Sequence, residues 1–192
     1  IGGDGVGRTY GFEYIDIKGS LVMKLLLDMG NSRLKSAALD ESGKLAQFVS
    51  ITYYDQTPIA CLAKHLEEAE SIDGAVLVSV LGSAFQNQAM SLFEQIGMPL
   101  RWVASEREAR GVINNYQQPS QLGSDRFVAL VAARKAFPKQ DCIVIDCGTA
   151  VTIDALAGSG EFCGGVIIPG LALWSDSLIQ RAGQLNDHQV RN

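Results

Sequence analysis

The sequence has no long apolar run, few aromatic residues and little excess charge of either sign. Of its 192 residues, 7% are aromatic, 19% are charged, and the formal net charge is −5. No apolar run approaches the roughly 20 residues that a membrane-spanning helix needs, so no membrane segment is predicted. Clustered lysine and arginine are missing too, and nucleic acid is therefore not expected as a partner. A hydrophobic content of 47% still favours a globular chain with a sizeable core.

Cysteine and histidine are scarce and do not occur at metal-binding spacings. The four cysteines form no Cys-x-x-Cys pair and have no histidine nearby at ligand spacing. Reduced thiols and a cytoplasmic location are therefore expected, with Cys142 and Cys147 as small buried side chains. His65 stands beside two glutamates, which predicts a solvated helix face. The tryptophans Trp102 and Trp174 are expected to be core or interface anchors.

Residues 1–22 precede the first methionine, Met23, and are rich in glycine. Their Gly-x-Gly-x-Gly run follows no strand, so it does not fit a dinucleotide-binding loop. We expect this segment to be a non-native or upstream extension of the chain.

From Met23 onward, apolar runs alternate with helical patterns, which indicates an α/β protein with a mixed sheet. Thr57-Pro58 predicts a helix start, because threonine caps helices and proline suits the first helical position. Strands are predicted over 25–27, 34–39, 45–54, 75–80, 100–103, 142–145, 151–156 and 166–168. Helices are predicted over 58–70, 83–96, 106–115 and 124–137.

One sequence element occurs twice. Three aliphatic residues lead into Asp28-Met29-Gly30-Asn31, and three more lead into Asp146-Cys147-Gly148-Thr149, each followed by a second strand pattern. An aspartate at the end of a buried strand can hold a cation, and the glycine lets backbone approach a ligand closely. Two such turns could hold a polyphosphate, although two ordinary β-turns remain the alternative.

These turns resemble the phosphate-binding hairpins of the acetate kinase, sugar kinase, Hsp70 and actin superfamily. Two further segments, Tyr116–Arg126 and Gly164–Leu171, narrow the resemblance to type III pantothenate kinase, also known as the Bvg accessory factor family. The similarity extends from Met23 to about Trp174. It implies a ribonuclease H-like, actin-like ATPase fold, with duplicated lobes of mixed sheets flanked by helices.

The resemblance implies that the two hairpins bind ATP. Asp28 would lie near Mg²⁺, and Asp146 would help to hold a monovalent cation, K⁺ or NH₄⁺. The residues implied to contact ATP are Asp28, Gly30, Asn31, Ser32, Arg33, Lys35 and Thr149.

The resemblance also implies a pantothenate site, formed by Tyr116, Gly123, Ser124, Asp125 and Arg126. Arg126 would pair with the pantothenate carboxylate through a two-pronged bond. Asp125 would be the general base, and its place at a predicted helix start favours its ionised form. The role of Asp154 is left open: it is either a carboxylate that supports the site or simply a residue at the end of a strand.

The expected domains are an N-terminal lobe over 23–122 and the first part of a C-terminal lobe over 123–192. The polar end of the sequence has no apolar period, so the second lobe is expected to be incomplete. The implied function is phosphorylation of pantothenate in coenzyme A biosynthesis by a homodimer. The alternatives are a catalytically impaired accessory protein of this fold and another small-molecule kinase of the superfamily.

Overall fold

The structure is a computed structural model that describes residues 23–69 and 71–181. The chain divides into two units, each built around a five-stranded sheet. The predicted extension over 1–22 lies outside the described residues. No helix in the described part of the chain is long and apolar enough to cross a membrane.

The first sheet has the strand order β3-β2-β1-β4-β5. Its core is made by apolar side chains that alternate along β1 and by those of helices α1 and α2. Helix α1 begins as predicted, because the Thr57 hydroxyl accepts a bond from Ala60 N–H at 3.3 Å and Pro58 is the first helical residue. The elements are β1 (Met23–Met29), β2 (Arg33–Leu39), β3 (Leu45–Thr52), α1 (Pro58–Glu67), β4 (Ile72–Ser79), α2 (Ser83–Gln95) and β5 (Leu100–Val103).

The second sheet has the order β6-β7-β10-β9-β8 and packs against helix α3. The elements are β6 (Glu108–Ala109), β7 (Val112–Asn114), a 3₁₀ turn (Pro119–Gln121), α3 (Ser124–Ala136), β8 (Cys142–Cys147), β9 (Ala150–Leu156), β10 (Glu161–Pro169) and α4 (Leu171–Arg181). The core of this unit consists of Val112, Leu122, Phe127, Leu130, Leu156 and Phe162. These side chains join the sheet to α3, whose N-terminus carries the predicted pantothenate residues.

Part of the second sheet is open to solvent. Ile143 and Ile145 of β8 are 64% and 59% exposed, and Ile167 of β10 is 61% exposed. Cys147 is exposed as well, so the prediction that it is buried was wrong. Trp174 is 61% exposed, so it is not a core residue of the described chain, and its alternative role as an interface anchor stays a prediction.

The helix predicted over 106–115 is wrong, because this segment forms the β6–β7 hairpin. Arg110 and Gly111 both have left-handed backbone conformations, with φ of 54° and 80°. Two successive positive φ values are typical of a two-residue hairpin turn with the right twist for the strands. The sequence does carry a signal for this hairpin, namely Arg110-Gly111 followed by the β-branched Val112 and Ile113. The apparent helical periodicity of the segment obscured it.

The structure also changes two other expectations. It groups residues from Trp102 onward with the second unit, about twenty residues before the expected boundary at 122/123, because β7 pairs with β10. His65 is buried rather than solvated, and its Nε2 lies 2.8 Å from the Ser36 hydroxyl. Burial lowers the pKa of His65, while the nearby Glu68 acts in the opposite direction.

Candidate active site

The repeated sequence element forms two antiparallel hairpins, one in each sheet. In the β1–β2 hairpin, Asp28 is opposite Lys35, and in the β8–β9 hairpin, Asp146 is opposite Thr152. The predicted repeat is therefore a structural repeat, with an aspartate near the end of the first strand each time.

The two aspartates have different surroundings. Asp28 is half-buried, and one of its carboxylate oxygens lies 3.4 Å from Lys35 Nζ. Asp146 is exposed. Each carboxylate is accessible to a cation. Beside Asp28, Lys35 adds a positive charge, which suits the binding of a phosphate.

The turn at Gly30–Ser32 groups with the second unit rather than with its own strands. Within that unit, the Thr149 hydroxyl donates to the Ser32 hydroxyl at 2.9 Å. Two residues implied to contact ATP therefore lie side by side. Asn31 and Arg33, on either side of Ser32, are both exposed.

The end of β10 supports the second turn. Gly170 N–H donates to the Thr149 carbonyl at 3.0 Å, and a Cβ at Gly170 would lie only 2.6 Å from that oxygen. The glycine after Pro169 thus permits the close approach of two backbone segments, which explains part of the Gly164–Leu171 motif.

Asp125 lies in the first turn of α3 and is half-buried. One carboxylate oxygen accepts the backbone N–H of Arg126 at 2.7 Å. The same oxygen would lie 2.6 Å from a Cβ placed at Gly123, the residue that precedes the helix. Gly123 therefore leaves the space in which this carboxylate sits.

Arg126 is buried and forms an ion pair with Asp154 of β9, which is 1% exposed. Its Nε donates to both carboxylate oxygens, at 3.0 and 3.2 Å, and its Nη2 donates to Oδ1. The hydrogen bonds that Arg126 donates to Asp154 raise the pKa of Arg126 against the opposing effect of burial. Asp154 is thus a supporting carboxylate, which resolves the alternative that the sequence left open.

Gly165 of β10 is directly opposite Asp154 in the sheet. A Cβ at this position would overlap the Asp154 carboxylate and would come within 2.7 Å of Arg126 Nη2. The glycine is required here by the ion pair and not by a turn.

Tyr116 completes the cluster around Arg126. Its ring is tilted against Phe162 with centroids 5.5 Å apart, and the Arg126 guanidinium lies 5.8 Å from the Phe162 centroid. The nearby Tyr116 also raises the pKa of Arg126 and so favours its charged form. Sequence reasoning missed Phe162, because a single phenylalanine on a strand carries no distinguishing pattern.

The predicted pantothenate residues are therefore brought together. Tyr116, Gly123, Ser124, Asp125 and Arg126 all belong to the second unit, at and beside the N-terminus of α3. The positive end of the helix and a buried guanidinium favour an anionic group at this point. The adjacent carboxylate of Asp125 can accept a proton.

The sequence as a whole also matches known proteins. A sequence profile described as type III pantothenate kinase matches residues 24–192. The chain belongs to the type III pantothenate kinase family. The match spans both hairpins and the cluster around Arg126, so the family resemblance of the motifs is confirmed.

Curated members of the family include the type III pantothenate kinases of Janthinobacterium sp. (strain Marseille) and Halorhodospira halophila. The first is 39% identical over 176 residues, which covers 85% of this chain and 65% of the relative. The second is 35% identical over 173 residues, which covers 88% and 68%. The chain thus spans about two thirds of the length of these relatives.

A solved structure supports the fold. The putative 2-dehydro-3-deoxygalactonokinase from Sinorhizobium meliloti is similar with a TM-score of 0.53 and 14% identity, over 82% of this chain and 57% of that one. The predicted mixed α/β, actin-like ATPase fold is therefore confirmed. At this identity the similarity concerns the fold alone.

Proposed function

We propose that this chain catalyses the ATP-dependent phosphorylation of pantothenate to 4′-phosphopantothenate, the reaction of coenzyme A biosynthesis that its family implies. The observation that carries the proposal is the cluster at the start of α3. There a carboxylate, Asp125, adjoins buried Arg126, whose guanidinium lies over the Phe162 ring against which Tyr116 packs. The cluster offers a proton acceptor and an anion-binding group side by side.

The chemistry requires positioning more than strong base strength. The pantothenate hydroxyl oxygen forms a bond to the γ-phosphorus of ATP, the bond to the bridging oxygen breaks, and ADP leaves. Phosphoryl transfer of this kind depends mainly on alignment and on neutralising charge. Asp125 would accept the hydroxyl proton, and its position is fixed by the Arg126 N–H and by the space at Gly123.

The first hairpin would hold the nucleotide phosphates together with Mg²⁺. Magnesium typically binds through one or two carboxylates plus substrate phosphates, and Asp28 is a half-buried carboxylate beside Lys35 that fits this use. When bound, the metal would neutralise phosphate charge. Asp146, exposed at the end of β8, would help to hold a monovalent cation, K⁺ or NH₄⁺, and Thr149 would contact ATP.

The carboxylate of pantothenate would be received by Arg126 and Tyr116. Asp154 already occupies Nε and Nη2 of the guanidinium and balances its charge. An arginine carries five N–H donors, so further donors can face the substrate while Asp154 fixes the plane of the group. Binding would then rest on directed hydrogen bonds more than on net charge, and the two-pronged contact predicted from the sequence would use the remaining donors.

A homodimer in the cytoplasm is part of the proposal, because the family resemblance implies the dimer and the cysteine pattern favours a reducing compartment. Measurement of the molar mass in solution by light scattering tests the dimer. A monomer at micromolar concentration that still turns over would remove the dimer from the proposal and leave the reaction in place.

The experiment that tests the function is an ADP-release assay with ATP, Mg²⁺ and K⁺, with pantothenate as the acceptor. Other small acceptors, such as sugars and acetate, are run in parallel, and the product is identified by mass spectrometry. We expect ADP release that depends on pantothenate, with a phosphorylated pantothenate as the product. Turnover with another acceptor alone would indicate a different small-molecule kinase, and nucleotide binding without any turnover would indicate an accessory protein.

A further inference from the structure

The loop that carries Tyr116 has no regular secondary structure. It runs between the end of β7 at Asn114 and the 3₁₀ turn at Pro119. Its backbone groups have no strand ladder to pair with, and their hydrogen bonds come from side chains instead. Two side chains, Arg107 and Asn114, supply these bonds.

Arg107 lies just before β6, and its side chain is exposed. Its Nη1 donates to the carbonyls of Asn114 and Tyr116 at 3.0 and 2.6 Å, and its Nη2 donates to the carbonyl of Gln117 at 2.8 Å. One planar guanidinium thus joins the carbonyl of the tyrosine to one carbonyl before it and one after it. A lysine has a single ammonium group and cannot reproduce this fork.

Asn114 holds the loop from the inside. Its side chain is fully buried, donates to the Pro119 carbonyl at 3.0 Å and accepts the Tyr116 N–H at 3.2 Å. Asn114 N–H in turn donates to the Arg107 carbonyl at 2.9 Å. Both backbone polar groups of Tyr116 are therefore bound, one by Asn114 and the other by Arg107.

We propose that Arg107 is a positioning residue for substrate binding, which acts by fixing the Asn114–Gln117 loop so that Tyr116 packs against Phe162 beside Arg126. The inference rests on the proposed function, because it assigns Tyr116 to the pantothenate site. Arg107 itself contacts backbone carbonyls, so its effect on the substrate passes through the tyrosine. It thereby sets the affinity for the acceptor and not for the nucleotide.

The test compares Arg107→Lys with Arg101→Lys, the same substitution at another exposed arginine. We expect R107K to raise the KM for pantothenate about tenfold or more, because a hydrogen bond from a charged group is worth at least that factor. The KM for ATP should change by less than about twofold, since the loop holds the acceptor site. R101K should resemble the unmodified chain in both constants. An unchanged pantothenate KM in R107K would overturn the proposal.

A double-mutant cycle with Tyr116→Ala separates positioning from general structural support. If Arg107 acts through the tyrosine, R107K adds nothing to the pantothenate KM of Y116A. An equal rise in both backgrounds would show that Arg107 acts elsewhere and would overturn the proposal.

Hydrogen–deuterium exchange provides a readout that is independent of activity. We expect faster exchange in R107K confined to residues 114–122, because the Tyr116 N–H is held within this loop. Unchanged exchange there, or faster exchange throughout the second unit, would contradict the proposed role. If the unmodified chain does not phosphorylate pantothenate, the proposed function fails while this comparison still tests the role of Arg107 in the loop.

Discussion

Arg126 and Asp154 are opposite charges that are both buried, and the two are joined by several hydrogen bonds. Removing one member of such a pair leaves the other without a partner in a poorly solvated place. The guanidinium of this pair also lies over the Phe162 ring, against which Tyr116 packs. Under the proposed function, we therefore expect stability and substrate binding to depend on the same carboxylate.

Asp154→Asn tests this dependence. We expect the free energy of unfolding to fall by about 3 to 5 kcal/mol, because the guanidinium is left buried with a neutral partner. Urea denaturation measures the change. The matched control is Asp73→Asn, which breaks the exposed pair with Lys24 at 2.9 Å and should cost less than about 1 kcal/mol. Equal losses in the two variants would contradict the importance of burial.

Gly165→Ala tests the space that the pair requires. The added methyl group would overlap the Asp154 carboxylate, so the ion pair or the β9–β10 pairing has to shift. We expect a loss of about 1 to 3 kcal/mol in unfolding free energy, typical of overpacking, with a higher KM for pantothenate. Gly82→Ala is the control, since a Cβ there meets nothing within 4 Å. A G165A variant as stable as G82A would show that the cluster can adapt.

At the scale of elements, helix α1 is held to the first sheet partly by the bond between His65 and Ser36 of β2. Burial lowers the pKa of His65 below its ordinary value near 6.5, so the folded chain binds a proton less readily than the unfolded chain. The stability that neutral His65 contributes is present above pH 6.5. It is lost as the pH falls below that value, where the unfolded state takes up the proton.

His65→Gln should remove this part of the pH dependence. We expect the urea midpoint of the unmodified chain to decrease more between pH 7.5 and pH 5 than that of H65Q. The difference between the two curves isolates His65 from the carboxylates, which titrate in both proteins. Parallel curves would mean that the histidine is not held neutral in the fold.

The elements also show what can be predicted from sequence and why. The two hairpins were predictable, because aliphatic runs before Asp-x-Gly carry both the strand pattern and the turn chemistry. The β6–β7 hairpin was not, since its strands are too short to show alternation and its turn uses Arg110 in a left-handed conformation. Short strands of this kind depend on their neighbours in the sheet, here on β10.

The candidate site shows the same division. Tyr116, Asp125 and Arg126 were predicted, because they stand in motifs that resemble a known family. The pairing of Arg126 with Asp154 could not be assigned from sequence, because the two residues are 28 positions apart. Only the packing of β9 against α3 brings them together. The burial of His65 was mispredicted for a similar reason, because neighbouring glutamates say little about the opposite face of a helix.

At the scale of the whole molecule, each of the two sheets contains one hairpin whose strands are joined through an Asp-x-Gly turn. The repeated sequence element and the repeated strand order of its hairpins agree with a duplicated fold. The cluster around Arg126 is confined to the second unit, at the start of α3. The exposed isoleucines of β8 belong to the same unit. The chain itself spans 65% of the length of its Janthinobacterium relative.

The measurement that tests the central proposal most directly is pantothenate-dependent ADP release by the unmodified chain and by Asp125→Asn. Asparagine keeps the size of the side chain and its hydrogen-bond acceptor but cannot take up the proton. We expect kcat to fall by about 100-fold or more in D125N, as for the loss of a general base, while Asp55→Asn at an exposed loop position keeps full activity. A D125N variant that turns over as fast as D55N would contradict the assignment of Asp125, and the absence of turnover in all three proteins would contradict the kinase function itself.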